Sequence, residues 1–250
     1  MRRKIVAGNW KMNLTKAEAI ALVGKVSSDS SSAACDIVLF PSSVYLSDVL
    51  KEVEGKTIGI GAQNCSQYEN GSYTGEVSAS QLASMGIGYV IVGHSERREH
   101  FAETSAVLKE KLKLALKYDL NPIFCCGEPL QVRKDDGQYE YVLKQLQECL
   151  FEFTAEEFSK IIVAYEPIWA IGTGLCASAV QAQQMHSFIR QKFAARYTDT
   201  VAGQMRILYG GSVKSDNAKE LFSCPDVDGG LVGGASLNAQ DFLSIIEAAK

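Results

Sequence analysis

Glu166 stands immediately before Pro167 in the run YEPIWAIGTG (165–174). A carboxylate on so stiff a piece of backbone is placed to remove a proton from carbon. His94 precedes SERREHF (95–101), which reads as a short helix. The positive end of that helix disfavours imidazolium, so His94 is expected to be a neutral hydrogen-bond donor to a carbonyl oxygen. Lys11, two residues after Asn9, is a cation able to stabilise an enediolate. The backbone N–H groups of Gly172, Ser212, Gly233 and Gly234 suit a phosphate dianion, because small side chains let the main chain approach closely. A base, a neutral electrophile, a cation and a phosphate cradle are the parts needed to move a proton between adjacent carbons of a sugar phosphate.

Each residue alone has a plainer reading. A glutamate at a strand end is more often solvated or salt-bridged, a histidine before serine is more often a packed or capping residue, and a Gly-Gly pair usually marks a turn. Lys11 by itself means almost nothing. His100 and His186 read as structural or surface residues, and Cys125-Cys126 lacks the further ligands a metal needs.

The elements that must position these groups change the weighing. Apolar runs recur at 4–9, 36–41, 57–64, 89–94, 121–128, 161–167, 205–211 and 227–234, eight in all. Between them lie segments of helical period. In 104–118, Val107, Leu108, Leu112, Ala115 and Leu116 make one apolar stripe, and in 237–250 Asn238 can cap a helix that buries Phe242, Leu243 and Ile246. Strands without polar alternation belong in a parallel sheet covered on both faces. Eight strand–helix units in 250 residues fit a closed α/β barrel, (β/α)8, as a single domain over 1–250, better than an open sheet. GIGAQN (59–64) lacks the third glycine of a nucleotide fingerprint, and the Ser-rich SSDSSSAA (27–34) reads as a surface connection. In such a barrel the C-terminal strand ends carry the site, and Lys11, His94, Glu166 and the glycine turns all fall there.

A formal net charge of −4 argues against sequence-independent nucleic-acid binding, and no basic block points to a membrane surface. No stretch approaches the about 7–15 apolar residues of a signal peptide or the about 20 of a membrane span. Seven cysteines at scattered spacings read as reduced thiols, so the expected location is cytoplasmic.

GNWKMN, GAQN, YTGE, GHSERR, CGE, AYEPIWAIGTG, YGGSV and DGGLVGGASL, spread over residues 8–237, resemble the signature segments of the triosephosphate isomerase family in order and spacing. The resemblance implies a TIM barrel, eight parallel strands ringed by helices. It also implies interconversion of dihydroxyacetone phosphate and D-glyceraldehyde 3-phosphate in glycolysis and gluconeogenesis, with no metal and no cofactor. Carried onto this chain, Glu166 is the base, His94 polarises the substrate oxygens, and Lys11 with Asn9 stabilises the intermediate. Ser95 and Glu96 support them. Residues 167–177 resemble a closing lid, for which this family is itself a standing example. The resemblance further implies a homodimer through the loop 63–76, with Tyr73-Thr74-Gly75-Glu76 beside Lys11 of the partner subunit and Met12 and Leu14 near the contact. Two positions depart from the family pattern: Leu175-Cys176-Ala177 replaces the usual lysine-led hinge, and Cys126 stands where an aliphatic residue is common.

Two other classes stay open at this point. A lyase on the same scaffold would form a Schiff base through Lys11. A non-catalytic phospho-ligand binding protein would be expected to lack the base or the electrophile.

Overall fold

In the computed structural model, which describes residues 2–30, 33–172 and 175–250, the strands are β1 (Ile5–Asn9), β2 (Asp36–Phe40), β3 (Ile58–Ala62), β4 (Tyr89–Val92), β5 (Asn121–Cys126), β6 (Ile162–Tyr165), β7 (Ile207–Tyr209) and β8 (Gly229–Val232). They pair in chain order, all parallel, and β1 closes on β8 through Ile5–Gly229 to Gly8–Val232. This is the expected barrel. Each strand is shorter than its apolar run because the ladder ends where the chain leaves for a loop. The run 205–211 contributes only three paired residues, and its Gly210-Gly211 end becomes part of the rim.

The two faces of the strands build two cores. Ile5, Ala7, Val38, Phe40, Ile91, Ile123, Cys125, Ile162, Ala164, Leu208 and Leu231 fill the barrel interior. Their neighbours Val6, Ile37, Leu39, Val90, Phe124 and Val163 point outward against the helices. Hence the runs show no polar alternation: neither face meets water.

The helices follow the expected periods with local differences. Ser105–Lys117 buries Leu108, Leu112 and Ala115 as read, but it also buries Lys111, absent from the apolar stripe. Its ammonium is held by Glu103 at 2.5 Å and by Asn64 at 2.7 Å. Asn238 caps Ala239–Glu247 by accepting from the N–H groups of Gln240 and Asp241. That helix buries Ile245 where Leu243 was expected, leaving Leu243 half-buried. The helix Lys16–Asp29 also runs into the Ser-rich segment expected to be a connection. Val26 and Ser27 are buried there, so packing carries the last turn on despite the serines. Among the described residues no helix is long and apolar enough to cross a membrane.

The helix Ala179–Arg196 packs against the outside of the barrel through Ala182, Met185, Ile189 and Phe193. Its Arg190 bonds Asp226 at 2.6 Å and Asp228 at 2.7 Å, and Asp228 also accepts from Arg2. His186, one turn earlier, is completely buried with Nδ1 3.1 Å from the Asp226 carbonyl, so it is structural. Burial pushes its imidazole down to about 4. The unfolded chain, near the ordinary 6.5, therefore binds a proton that the folded chain refuses between those values. Stability from this group is complete above about pH 6.5 and falls as pH drops toward 4, by roughly 3 kcal/mol in total. The wild type is expected to lose more stability than His186→Gln between pH 6.5 and 4.5 in urea titrations. Parallel losses in the two proteins would refute this assignment.

Candidate active site

Glu166 follows β6 and is only 2% exposed, packed between two glycines. A Cβ on Gly127 would sit 1.7 Å from the Glu166 carbonyl oxygen, and one on Gly210 would sit 2.8 Å from its Cγ. Neighbouring strand ends can therefore approach the glutamate only because both positions lack a side chain. The carboxylate turns toward the loop after β4. Oε2 accepts from the Ser95 N–H at 2.9 Å, and Oε1 lies 3.1 Å from His94 Nε2.

His94 is the N-cap of Ser95–His100 and is 6% exposed. Its Nδ1 accepts the Glu96 N–H at 3.2 Å, which in a neutral ring leaves the proton on Nε2, facing Glu166 and the cavity. Arg98, on the same short helix, donates to the carbonyls of Gly93 and Cys125 and so ties the ends of β4 and β5 together beneath the site.

Lys11 adopts a left-handed backbone with φ 52°. For a residue with a side chain this costs about 1–3 kcal/mol and persists only where surroundings impose it. They do. Its N–H donates to Asn9 Oδ1 at 3.1 Å, and its carbonyl accepts from Gln63 Nε2 at 2.8 Å and Ser42 Oγ at 3.2 Å. The ammonium pairs with Glu96 at 2.5 Å. Burial pushes the Glu96 carboxyl up, but the hydrogen bond from Lys11 and the nearby His94 outweigh it and hold the group below its ordinary range.

Asn9, Lys11, His94, Gly172, Ser212, Gly233 and Gly234 line one cavity of about 290 Å³. Gly233-Gly234 opens the helical turn Gly234–Leu237, where backbone N–H groups suit an anion. The cavity is bordered by an N–H donor, a cation and backbone donors, and the Glu166 carboxylate lies behind His94.

The family model described as triosephosphate isomerase matches residues 4–249. The chain is 52% identical to the triosephosphate isomerase of Bacteroides fragilis over 250 residues, covering 99% of each chain. It is 50% identical to that of Porphyromonas gingivalis, over 99% of this chain and 100% of the relative. It is also 50% identical to that of Xanthomonas campestris pv. campestris, over 100% of this chain and 99% of the relative. The chain belongs to the triosephosphate isomerase family.

Of the residues singled out from the sequence, Asn9, Lys11, His94, Gly172, Ser212, Gly233 and Gly234 border this cavity. One differs in posture: Glu166 does not border the cavity but is turned against Ser95 and His94. Ser95 and Glu96 lie where supports were expected, through a backbone N–H and a carboxylate respectively. Cys125 and Cys126 are buried thiols, one inside the barrel and the other facing the helices. Of the lid, Ile168–Ala170 forms a 3-10 turn and Gly172 has φ 68°, while Thr173 and Gly174 lie outside the described residues.

Three supporting residues were not singled out. Gln63 and Ser42 hold Lys11 from the two adjoining strand ends, and GAQN carried no local sign of that contact. Glu128, in CGE, is wholly buried and accepts from Tyr165 OH at 3.0 Å and Trp169 Nε1 at 2.9 Å. It thereby anchors Trp169, at the start of the segment expected to close over the site. Burial pushes its carboxyl up despite these donors. A glutamate closing β5 was the available signal.

Proposed function

We propose that residues 1–250 act as one barrel domain that interconverts dihydroxyacetone phosphate and D-glyceraldehyde 3-phosphate through an enediolate, in glycolysis and gluconeogenesis. The observation that carries the reading is His94 Nε2–H, Lys11 Nζ and the glycine donors bordering one cavity, with Glu166 in hydrogen-bond reach of His94. The phosphate sits against the N–H groups of Gly172, Ser212, Gly233 and Gly234, which places the carbonyl end between His94 and Lys11. Glu166 leaves Ser95, takes a proton from C1 of the ketose, and returns it to C2. His94 Nε2–H polarises the carbonyl, gives its proton to the oxygen on C2 and takes back the hydroxyl proton from the oxygen on C1, so the ring ends as it began, while Lys11 and Asn9 stabilise the charge. The metal-free chemistry uses only these side chains. A coupled assay from glyceraldehyde 3-phosphate tests the reading, and a folded wild type without turnover would end it.

The same reading places the protein in the cytoplasm, as a homodimer through loop 63–76. Support for the dimer is a groove of about 780 Å³ beside the site, bordered by Met12, Val44, Gly75, Glu76 and Phe101 together with Lys11 and His94. Met12 is 94% exposed and Phe101 64%. Leu14, expected near the same contact, is partly buried against the core. The loop that would fill a partner's groove is stiffened by Tyr68 stacked on Tyr73 at 3.8 Å and by Lys117 and Tyr118 holding Glu69. Sedimentation at micromolar concentration is expected to give twice the chain mass; a single-chain mass would remove this element.

At the second lid hinge Leu175 is half exposed. We expect it to shift the balance between open and closed lids relative to Leu175→Lys. Stopped-flow closure rates that coincide for the two proteins would dismiss this role.

A further inference from the structure

The charge at the mouth of the cavity is unevenly compensated. Two bordering residues are cationic, Lys11 and Lys214. Lys11 is matched by Glu96 at 2.5 Å. Lys214 is exposed and forms no ion pair among the described residues. The chain as a whole carries −4, and the Glu166 carboxylate adds a negative group beside the site. A dianion approaching this rim therefore meets a repulsive protein overall, with one uncompensated positive group where it must enter.

The backbone that carries Lys214 is held in a fixed turn. Asn217 Oδ1 accepts the Lys214 N–H at 2.8 Å, and Asn217 Nδ2 donates to the Ser212 carbonyl at 3.0 Å. The Asn217 N–H returns to the Lys214 carbonyl at 3.3 Å. One asparagine thus closes the turn from Ser212 to Lys214. It keeps the Ser212 N–H beside the cavity, with the Lys214 Cα two residues from it. Lys214 itself borders the cavity and is exposed, so its ammonium stays solvated and avoids a large desolvation cost.

We propose that Lys214 is the capturing cation of this site: a residue that attracts and binds the phosphate dianion of the substrate and discriminates it from uncharged sugars. This deepens the isomerase reading and rests on it. Lys214 does not touch the reacting carbons, so its contribution lies in kcat/KM, which compares free enzyme and free dianion with the transition state. A unit charge held within about 10 Å of a dianion in water changes encounter and affinity by about threefold to fivefold at low ionic strength. Salt removes the effect, since the screening length falls to about 3 Å at 1 M.

The test compares wild type, Lys214→Gln, Lys214→Glu and Lys214→Arg on glyceraldehyde 3-phosphate and on phosphate-free glyceraldehyde, in low and high salt. Lys214→Gln is expected to lower kcat/KM for the phosphorylated substrate about fourfold in low salt, and Lys214→Glu about tenfold or more. Both losses fall mainly on KM and shrink in about 1 M salt, and Lys214→Arg stays near wild type. Glyceraldehyde turnover is expected to be alike in all four. Lys214→Glu matching the wild type on the phosphorylated substrate in low salt overturns the inference and leaves the isomerase reading standing. Equal losses on both substrates also overturn it, because they mark a structural role. A folded wild type that turns over neither substrate overturns the isomerase reading itself.

Discussion

Glu166→Gln lowers kcat by about three to four powers of ten, the usual yield of a positioned acid–base group. The substitution removes the proton acceptor while keeping nearly the same volume in a site that is 2% exposed. It also disturbs the resting contacts. Oε2 of Glu166 accepts from the Ser95 N–H, and Oε1 lies 3.1 Å from His94 Nε2 without a hydrogen bond, so an amide that keeps its oxygen on Ser95 turns its NH2 toward His94. His94 cannot escape by moving its proton to Nδ1, because Nδ1 already accepts from Glu96. The clash costs roughly 1–3 kcal/mol, a loss visible in thermal melts but too small to unfold a barrel of this size. Glu166→Asp keeps the charge and withdraws it by one methylene. A misplacement of about 1 Å costs on the order of a hundredfold, so the aspartate is expected to be the less damaged of the two. The coupled assay alongside melting curves reads both effects. A folded Glu166→Gln protein within tenfold of the wild type would mean that another group takes the proton.

Lys11→Met lowers kcat by about two to three powers of ten, with a folded protein and an intact cavity. Methionine fills the space of the lysine stem but brings no charge to the developing enediolate. It also releases Glu96 from its partner at 2.5 Å, leaving an uncompensated carboxylate beside His94. The same residue separates the isomerase from a Schiff-base lyase. A Schiff-base lysine must present a free amine to the carbonyl carbon, whereas Lys11 Nζ is engaged by a carboxylate. Borohydride treatment of the wild type with dihydroxyacetone phosphate is therefore expected to leave the protein mass unchanged. A reduced adduct on Lys11 would favour the lyase, and full activity in Lys11→Met would remove the lysine from either mechanism.

These expectations draw on two kinds of information. The barrel was legible because local pattern and global burial agree. Runs such as 36–41 and 161–167 carry no polar alternation, which only a sheet covered on both faces tolerates. The ends of those runs then placed Lys11, His94, Glu166 and the glycine turns on one rim. Boundaries were less legible. Ser27 to Asp29 looked like a connection because serine favours turns, yet burial of Val26 and Ser27 against the core kept them helical. Lys111 looked like a surface charge because its partners, Glu103 and Asn64, come from outside the helix period.

By itself the sequence determined the number and order of the strands, the rim on which the chemistry sits, and which residue types stand there, since all of these follow from local periodicity. Only the tertiary structure decided how those residues are held. Gln63 reaches Lys11 across 52 residues, Lys11 reaches Glu96 across 85, and Ser95 reaches Glu166 across 71. The left-handed turn at Lys11, the proton position on His94, the turned-away carboxylate of Glu166 and the uncompensated charge of Lys214 all depend on such contacts. Side-chain direction and charge pairing are set by neighbours brought together through closure of the barrel, and no local stretch of chain encodes them.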